Sequence, residues 1–268
     1  MDALISSANV VVDYTPQELM VAAAAREIAD GELVFVGMRL PLLAFLLAKR
    51  THAPSALGLF ENGVIRDTAA PHGFMTMGDP VNLTYALKCT EMKEIMAYLQ
   101  RGRVNLGFVG GAEIDRFGNL NTSMIRRPGE DGFVRLPGSG GGADIACLAQ
   151  RLLIIMAHEK RRFKEKVSYI TSPGYGDGGD WRTGAGLIRG GPKAVITTMG
   201  ILRFDLETRE AFLSSIHPGV TVEEVKANTG WDLKVSTEVS VTRAPAEAEL
   251  AVIREYDPQG HWTGWRKP

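Results

Sequence analysis

The chain has 268 residues, 45% of them hydrophobic and 23% charged, and its 30 basic and 31 acidic side chains leave a formal net charge of −1. This composition is typical of a folded globular protein and argues against disorder, a coiled coil or a disulfide scaffold. The balanced charge gives no electrostatic footprint for nucleic acid. The longest apolar run, residues 40–48, is far shorter than the roughly 20 residues of a membrane helix.

The cysteines and the N-terminal residues bear on the cellular compartment of the protein. The two cysteines, Cys89 and Cys147, have neither zinc-ligand spacing nor the pattern of a disulfide framework, which suits a reducing environment. No basic flank precedes an apolar core at the N-terminus, so no secretory signal is visible. We therefore expect a cytoplasmic protein that contacts neither a membrane nor nucleic acid.

Helix and strand signals alternate in the first part of the chain. Thr15, Pro16 and Glu18 provide an N-cap, a first-turn proline and a capping-box glutamate for a helix that Gly31 is expected to end. Beyond it, the pattern predicts helices at residues 41–50 and 90–100, and strands at residues 33–37, 56–60 and 104–109.

The alternation continues to the C-terminus. Strands are predicted at residues 133–136, 152–157, 167–171 and 194–199, and helices up to residue 150, at residues 221–229 and at residues 245–256. Short apolar strands separated by helices predict an α/β fold with an open, mainly parallel sheet and helices on both faces. We expect a single domain over residues 1–258. A tail over residues 259–268 follows, whose Trp262 and Trp265 indicate docking onto some surface.

A glycine run at residues 138–142 lies between a predicted strand and a predicted helix, where an α/β sheet presents backbone N–H groups. It is neither a Rossmann fingerprint nor a P-loop, because the glycine spacing and the Gly-Lys-Ser/Thr sequence are missing. Two interpretations remain: a nest of N–H groups that binds an oxyanion or phosphate, or a turn that needs glycine only for its conformation.

Glu61 is a second candidate, because its carboxylate directly follows a predicted strand and precedes the turn residues Asn62 and Gly63. Taken alone, this pattern describes a surface hairpin glutamate at least as well. The turn at residues 115–119 and His217 are likewise explained by local structure. No histidine has a metal-ligand or triad partner nearby in the sequence, so no metal site is expected.

Seven blocks of the sequence, taken in order, resemble the β subunit of class I coenzyme A transferases, and within that family the glutaconate and 3-oxoadipate branch. The resemblance covers about residues 16–258. The blocks are FENG at 60–63, GFVG at 107–110, DRFGNLN at 115–121, RLPGSGG at 135–141, ITSPGYGDGGD at 170–180, SIHPGVT at 215–221 and NTGW at 228–231.

The resemblance implies roles for the two candidate features. Glu61 matches the family nucleophile, and the loop matches the family's oxyanion-hole loop, with N–H groups supplied by Gly140 and Gly141 and substrate contacts from Gly138 and Ser139. It also implies the CoA-transferase fold, a separate α subunit in a heterodimer or a larger assembly such as α2β2, and an active site near their interface. Coenzyme A would be a substrate, and no cofactor is implied.

Two segments depart from the family pattern. Arg39 stands where relatives usually carry a small residue. Its guanidinium would bind a substrate carboxylate or pair with Glu61, unless it only covers apolar neighbours at the surface. Residues 64–77 also differ from the usual loop, which leaves the substrate open.

The function expected is CoA transfer between an acyl-CoA and a carboxylic acid, such as a small dicarboxylate or oxo acid, through a glutamyl-CoA thioester. One alternative is a hydrolase or decarboxylase acting on acyl-CoA, against which the retention of Glu61 argues. Another is a non-catalytic ligand-binding module. That interpretation would require a DNA-binding appendage, for which neither terminus leaves room.

Overall fold

The computed structural model describes residues 13–126 and 132–266. Its centre is a ten-stranded sheet. The strands of this sheet are β1 (Leu33–Phe35), β2 (Leu57–Leu59), β3 (Val64–Arg66), β4 (Lys88–Cys89), β5 (Leu106–Val109), β10 (Arg151–Met156), β11 (Pro192–Thr197), β12 (Gly200–Phe204), β13 (Ala211–Ile216) and β14 (Lys234–Val241). Two antiparallel pairs lie outside it, namely β6 (Glu113–Ile114) with β7 (Leu120–Asn121) and β8 (Met124–Arg126) with β9 (Phe133–Arg135).

The spatial order of the sheet is β14-β13-β12-β11-β10-β5-β1-β2-β3-β4. Its centre, from β11 to β2, is entirely parallel. Antiparallel pairs flank this centre, with β12 between β11 and β13 on one side and β3 between β2 and β4 on the other, while β14 runs parallel to β13. The prediction of an open, mainly parallel sheet is therefore confirmed.

Helices cover both faces of the sheet. The helices are α1 (Pro16–Ala25), α2 (Leu40–Arg50), α3 (Pro80–Leu83), α4 (Met92–Gln100), α5 (Gly142–Leu148), α6 (Trp181–Gly184), α7 (Val222–Ala227) and α8 (Glu247–Tyr256). Phe45 of α2 and Ile253 of α8 belong to the apolar core on one face, and Ile95 of α4 and Ile145 of α5 to the core on the other. None of the helices described is both long and apolar enough to cross a bilayer.

The capping signals seen in the sequence form as hydrogen bonds. The N–H of Thr15 donates to Glu18 Oε2 at 2.8 Å, and the N–H of Glu18 donates back to Thr15 Oγ1 at 3.1 Å. Thr221 and Glu224 repeat this exchange at the start of α7. Helix α1 nevertheless ends at Ala25 rather than next to Gly31, whose φ of 78° places it in a separate turn before β1.

One predicted strand is wrong, and another forms outside the large sheet. Residues 167–171 form no strand, because their backbone groups bond elsewhere: the N–H of Ser168 donates to Glu113 Oε2 and that of Thr171 to the carbonyl of Leu120. Residues 133–135 form β9, an exposed strand that pairs with β8 and stands outside the large sheet. The glycine loop therefore leaves a hairpin rather than a strand of the large sheet.

The C-terminal residues fold back onto the domain. The carboxylate of Asp257 accepts N–H bonds from His261, Trp262 and Thr263, and Thr15 Oγ1 donates to the carbonyl of Thr263 at 2.7 Å. The Arg254 guanidinium lies 4.7 Å from the centre of the Trp265 ring. The tryptophans thus dock beside α1 and α8. Residues 1–12 of the predicted domain and 267–268 of the predicted tail lie outside the described residues.

Candidate active site

Glu61 lies in the tight turn that joins β2 to the antiparallel β3. The N–H of Phe60 donates to the carbonyl of Val64 at 2.9 Å, and the N–H of Gly63 donates to the carbonyl of Phe60 at 3.0 Å. Gly63 has a φ of 103°, and a Cβ at this position would collide with the carbonyl oxygen of Thr90. Glycine is therefore required for the turn to close against the segment before α4.

The glycine loop is anchored at both ends, and N–H donors lie between the two anchors. Gly138 donates its N–H to the carbonyl of Thr122, and Gly142 donates to the carbonyl of Ser139, both at 2.9 Å. Gly138 and Gly140 have φ values of 101° and 48°, which side chains disfavour. Among the described residues, no protein acceptor receives the N–H of Gly140 or Gly141. These two N–H groups are available to a ligand.

The tertiary structure brings Glu61 and this loop together. A Cβ built on Gly141 would lie 3.3 Å from both Cδ and Oε1 of Glu61, and 3.2 Å from Cε of Met96. The Glu61 carboxyl group therefore packs directly against the backbone of the loop. This arrangement places a carboxylate beside Gly141, whose N–H has no partner in the described part of the chain. An acyl transfer with an oxyanion intermediate requires a nucleophile next to such donors.

Arg39 also follows a strand of the large sheet, but it borders other residues than Glu61 does. It precedes α2 with φ 68° and ψ −126°, a backbone region that residues other than glycine rarely adopt, and its side chain is exposed. It lines a cleft of about 350 Å³ together with Met20, Arg162 and Thr198. Glu61, by contrast, packs on α4 and α5. The two residues follow neighbouring parallel strands, but no ion pair joins them within the described part of the chain.

Met96 is a site residue that the sequence did not single out. The Met96 side chain and the Glu61 carboxyl group both border Gly141 of the loop. The amphipathic pattern of the helix at residues 92–100 predicted a buried face, but only the packing of α4 on α5 shows that this face continues into the site.

The histidines at the ends of the central strands are structural. Burial and the nearby His217 lower the pKa of His158 to about 4, so the His158 ring stays neutral. Its two ring nitrogens lie 3.2 and 3.0 Å from the hydroxyl oxygens of Thr197 and Thr229. His217 is buried as well, with Nε2 2.7 Å from the carbonyl oxygen of Thr197. Both rings are occupied by protein partners and are not positioned as general bases for Glu61.

The turn at residues 115–119 has the structural role that its sequence pattern indicates. Asp115 Oδ1 accepts the N–H groups of Phe117 and Asn119, and burial raises the pKa of the Asp115 carboxyl. Asn119 Oδ1 in turn accepts the N–H groups of Gly174 and Gly176. The turn thus fixes the glycine-rich segment at residues 173–180.

Comparison with known proteins gives a consistent result. Residues 17–228 match the family model described as coenzyme A transferase. The chain is 41% identical over 244 residues to the β subunit of the 3-oxoadipate CoA-transferase of Pseudomonas knackmussii (strain DSM 6978), with 90% of this chain and 92% of the relative covered.

The glutaconate CoA-transferase of Acidaminococcus fermentans is similar in sequence and in structure. Its β subunit is 36% identical over 255 residues, covering 91% of this chain and 92% of the relative. Its crystal structure superimposes with a TM-score of 0.87 at 32% identity, covering 96% of this chain and 99% of that one.

The decarboxylase AibA/AibB has the same fold, with a TM-score of 0.80 at 26% identity over 94% of this chain and 98% of that one. The chemistry within this fold therefore varies, whereas the agreement in sequence is greater with the two transferases. The chain belongs to the coenzyme A transferase family, as a β subunit of the glutaconate and 3-oxoadipate type.

Proposed function

We propose that this subunit carries the nucleophile of a transferase that moves CoA from an acyl-CoA to a small dicarboxylic or oxo acid. The observation that carries the proposal is the Glu61 carboxyl group packed against the Gly141 backbone, beside two N–H groups without a partner among the described residues. The names of the similar transferases support the class of acid. The proposed setting is the cytoplasm, which accords with free thiols at Cys89 and Cys147.

The proposed reaction has two halves, one for the donor and one for the acceptor. Each half consists of two substitutions at a carbonyl carbon, and each substitution proceeds by addition and elimination. A Glu61 oxygen attacks the acyl-CoA carbonyl carbon, the C–S bond breaks, and CoA leaves as the thiolate from a mixed anhydride. The thiolate then attacks Cδ of Glu61, the anhydride C–O bond breaks, and the donor acid leaves as its carboxylate. The acceptor carboxylate reverses these steps on the glutamyl-CoA thioester. These steps balance with the acyl-CoA and the acceptor carboxylate as the only reactants, and the new acyl-CoA and the donor carboxylate as the products.

The glycine loop would stabilise the charge that develops in each addition. The carbonyl oxygen becomes an oxyanion. Gly141 borders the Glu61 carboxyl group, and the N–H groups of Gly140 and Gly141 have no partner among the described residues. One such donor is commonly worth about 3 to 4 kcal/mol of transition-state stabilisation. Gly138 and Ser139 would border the bound acyl-CoA. Water must be excluded, because it would hydrolyse both the anhydride and the thioester.

A direct experiment separates transfer from the alternative chemistries. The complex of this chain with its α subunit is incubated with a panel of acyl-CoAs, with and without short carboxylic acids, and the CoA products are identified by mass spectrometry. Transfer predicts a new acyl-CoA that forms only when the acceptor acid is present. Free CoA without acceptor would indicate a hydrolase, and an acyl-CoA lighter by one CO₂ would indicate a decarboxylase.

The isolated chain is expected to be inactive and to self-associate. Large apolar side chains are exposed in the connection between β3 and β4, at the start of α4 and on β9, and exposed apolar surface often marks a protein interface. They are Met75, Leu83, Tyr85, Leu87, Met92, Phe133 and Val134. Coexpression with the α subunit should give a stable heteromer by size-exclusion chromatography, and transfer should appear only in that fraction. Full transfer by the isolated chain would contradict this.

Arg39→Gly should raise the apparent KM for glutarate about 10- to 100-fold and spare valerate, an acid of equal length with one carboxylate. The Arg39 guanidinium borders the cleft and would bind the distal carboxylate. Glycine also suits the positive φ of this position, so the change should not lower the melting temperature. Equal losses on both acids would indicate a general role of Arg39 that does not depend on the distal carboxylate. No loss on either acid would indicate that Arg39 only covers apolar neighbours at the surface.

A further inference from the structure

Arg66, the last residue of β3, is a buried cation whose guanidinium is held by main-chain carbonyl groups. Its side chain is fully buried, and no carboxylate lies within 4.0 Å of it in the described part of the chain. Its guanidinium donates to the carbonyl oxygens of Thr68 and Ala69 at 3.2 Å and of Asn82 at 2.6 Å. Burial lowers the pKa of Arg66. A cation in this setting orders the segment whose carbonyl groups it holds.

The order imposed by Arg66 continues to the Glu61 turn through one carbonyl group. Asn82, fully buried in α3, donates Nδ2 to the carbonyl oxygen of Met77 at 3.0 Å. Asn62, the residue after Glu61, donates its Nδ2 to the same oxygen at 2.7 Å. The Met77 carbonyl thus joins the exposed turn to the segment anchored by Arg66.

The residue before Glu61 is fixed by the same segment. The ring of Phe60 lies 6.0 Å from the buried ring of Phe74 and 6.5 Å from that of Phe45 of α2. Both neighbours of Glu61 in the chain therefore contact residues 67–83, one by aromatic packing and one by a hydrogen bond. These residues overlap the segment at 64–77 that departs from the family pattern.

We propose that Arg66 and Asn82 are positioning residues for Glu61, acting through the Met77 carbonyl and the Asn62 side chain. The inference rests on the proposed function, because it takes Glu61 as the nucleophile. The Glu61 side chain must reach the acyl carbon while its carboxyl group stays against Gly141. A displacement of about 1 Å in such a geometry can cost about 100-fold in rate.

Asn62→Ala and Asn82→Ala test the proposal in the complex with the α subunit. Each variant loses one bond to the Met77 carbonyl, so the rate of Glu61 loading by acyl-CoA, measured by rapid quench and mass spectrometry, should fall about 10- to 100-fold. The KM should change less than about threefold. Because the two amides share one acceptor, the double variant should be about as slow as the slower single variant.

Asn105→Ala provides a matched control. Asn105 Oδ1 accepts the N–H of Leu33 at the amino end of β1, the end of the strand opposite the site. Asn105→Ala removes a comparable hydrogen bond between a side-chain amide and the backbone. This variant should have a lower melting temperature but should load Glu61 at the wild-type rate. Arg66→Lys keeps the charge but not the planar set of donors, and should slow loading in the same way as Asn82→Ala.

Hydrogen–deuterium exchange provides a second readout. The N–H of Gly63, bonded to the carbonyl of Phe60, should exchange faster in Asn62→Ala and Asn82→Ala than in the wild-type complex. A folded Asn62→Ala complex that loads Glu61 at the wild-type rate would overturn the proposal while the transferase function stands. A wild-type complex that transfers CoA without loading Glu61 would overturn both. Since Asn62 is exposed, this variant should fold even if Asn82→Ala does not.

Discussion

Glu61→Gln should abolish CoA transfer in the heteromeric complex, and Glu61→Asp should slow it about 100-fold. Glutamine cannot form the anhydride, and loss of a covalent nucleophile can reduce kcat by about 10⁴-fold or more. Aspartate keeps the carboxylate but is shorter by one methylene, so the carboxyl group is withdrawn from the position beside Gly141. Steady-state rates with the preferred acyl-CoA and acid provide the measurement.

Chemical trapping identifies the intermediate directly. Wild-type complex incubated with acyl-CoA and then treated with borohydride or hydroxylamine should yield a modified peptide that contains Glu61. Glu91→Gln is the control, since it removes an exposed carboxylate at the N-cap of the neighbouring helix α4. It should leave both the rate and the modified peptide unchanged. An active enzyme with Glu61 unmodified would disprove the covalent mechanism.

Gly141→Ala is the substitution with the second largest expected effect, a loss of about 100-fold in kcat. Gly141 has a φ of −75°, which alanine adopts without strain, so the effect must arise from the methyl group. That methyl would lie 3.3 Å from Cδ and Oε1 of Glu61, which is closer than ordinary packing allows. The carboxylate would be displaced from its position beside the N–H donors.

Gly140→Ala separates steric displacement from loop conformation. Gly140 has a φ of 48°, and a Cβ there would meet nothing within 4 Å. Alanine would therefore cost only the left-handed backbone conformation, about 1 to 2 kcal/mol, and we expect a loss of roughly 10-fold. Gly186→Ala carries the same backbone cost in an exposed loop and should leave kcat unchanged. Equal activities of Gly141→Ala and Gly186→Ala would show that Gly141 does not border the nucleophile.

Local signals in the sequence determined the elements whose physics is local. The capping boxes at Thr15 and Thr221 form between residues three apart, so the sequence predicted these helix starts correctly. Short apolar runs predicted the parallel strands of the central sheet, because a strand buried on both faces needs apolar residues throughout. The turn at Glu61, Asn62 and Gly63 also follows from residue types alone. The role of Glu61 came from the resemblance to the family, not from its local pattern.

Only the tertiary structure decided what meets across long sequence distances. No local signal distinguishes β9 from a strand of the large sheet, because tertiary packing selects the strand with which it pairs. Residues 167–171 likewise form no strand, because their backbone N–H groups bond to Glu113 and Leu120.

The same reason governs the site. Glu61 and Gly141 come together because the turn after β2 meets the loop at the start of α5, whereas Arg39 follows the neighbouring strand β1 and lines a cleft beside α1. The link from Arg66 to Asn62 runs through a main-chain carbonyl group, and the residue type at that position does not show which side chains will bond to its backbone.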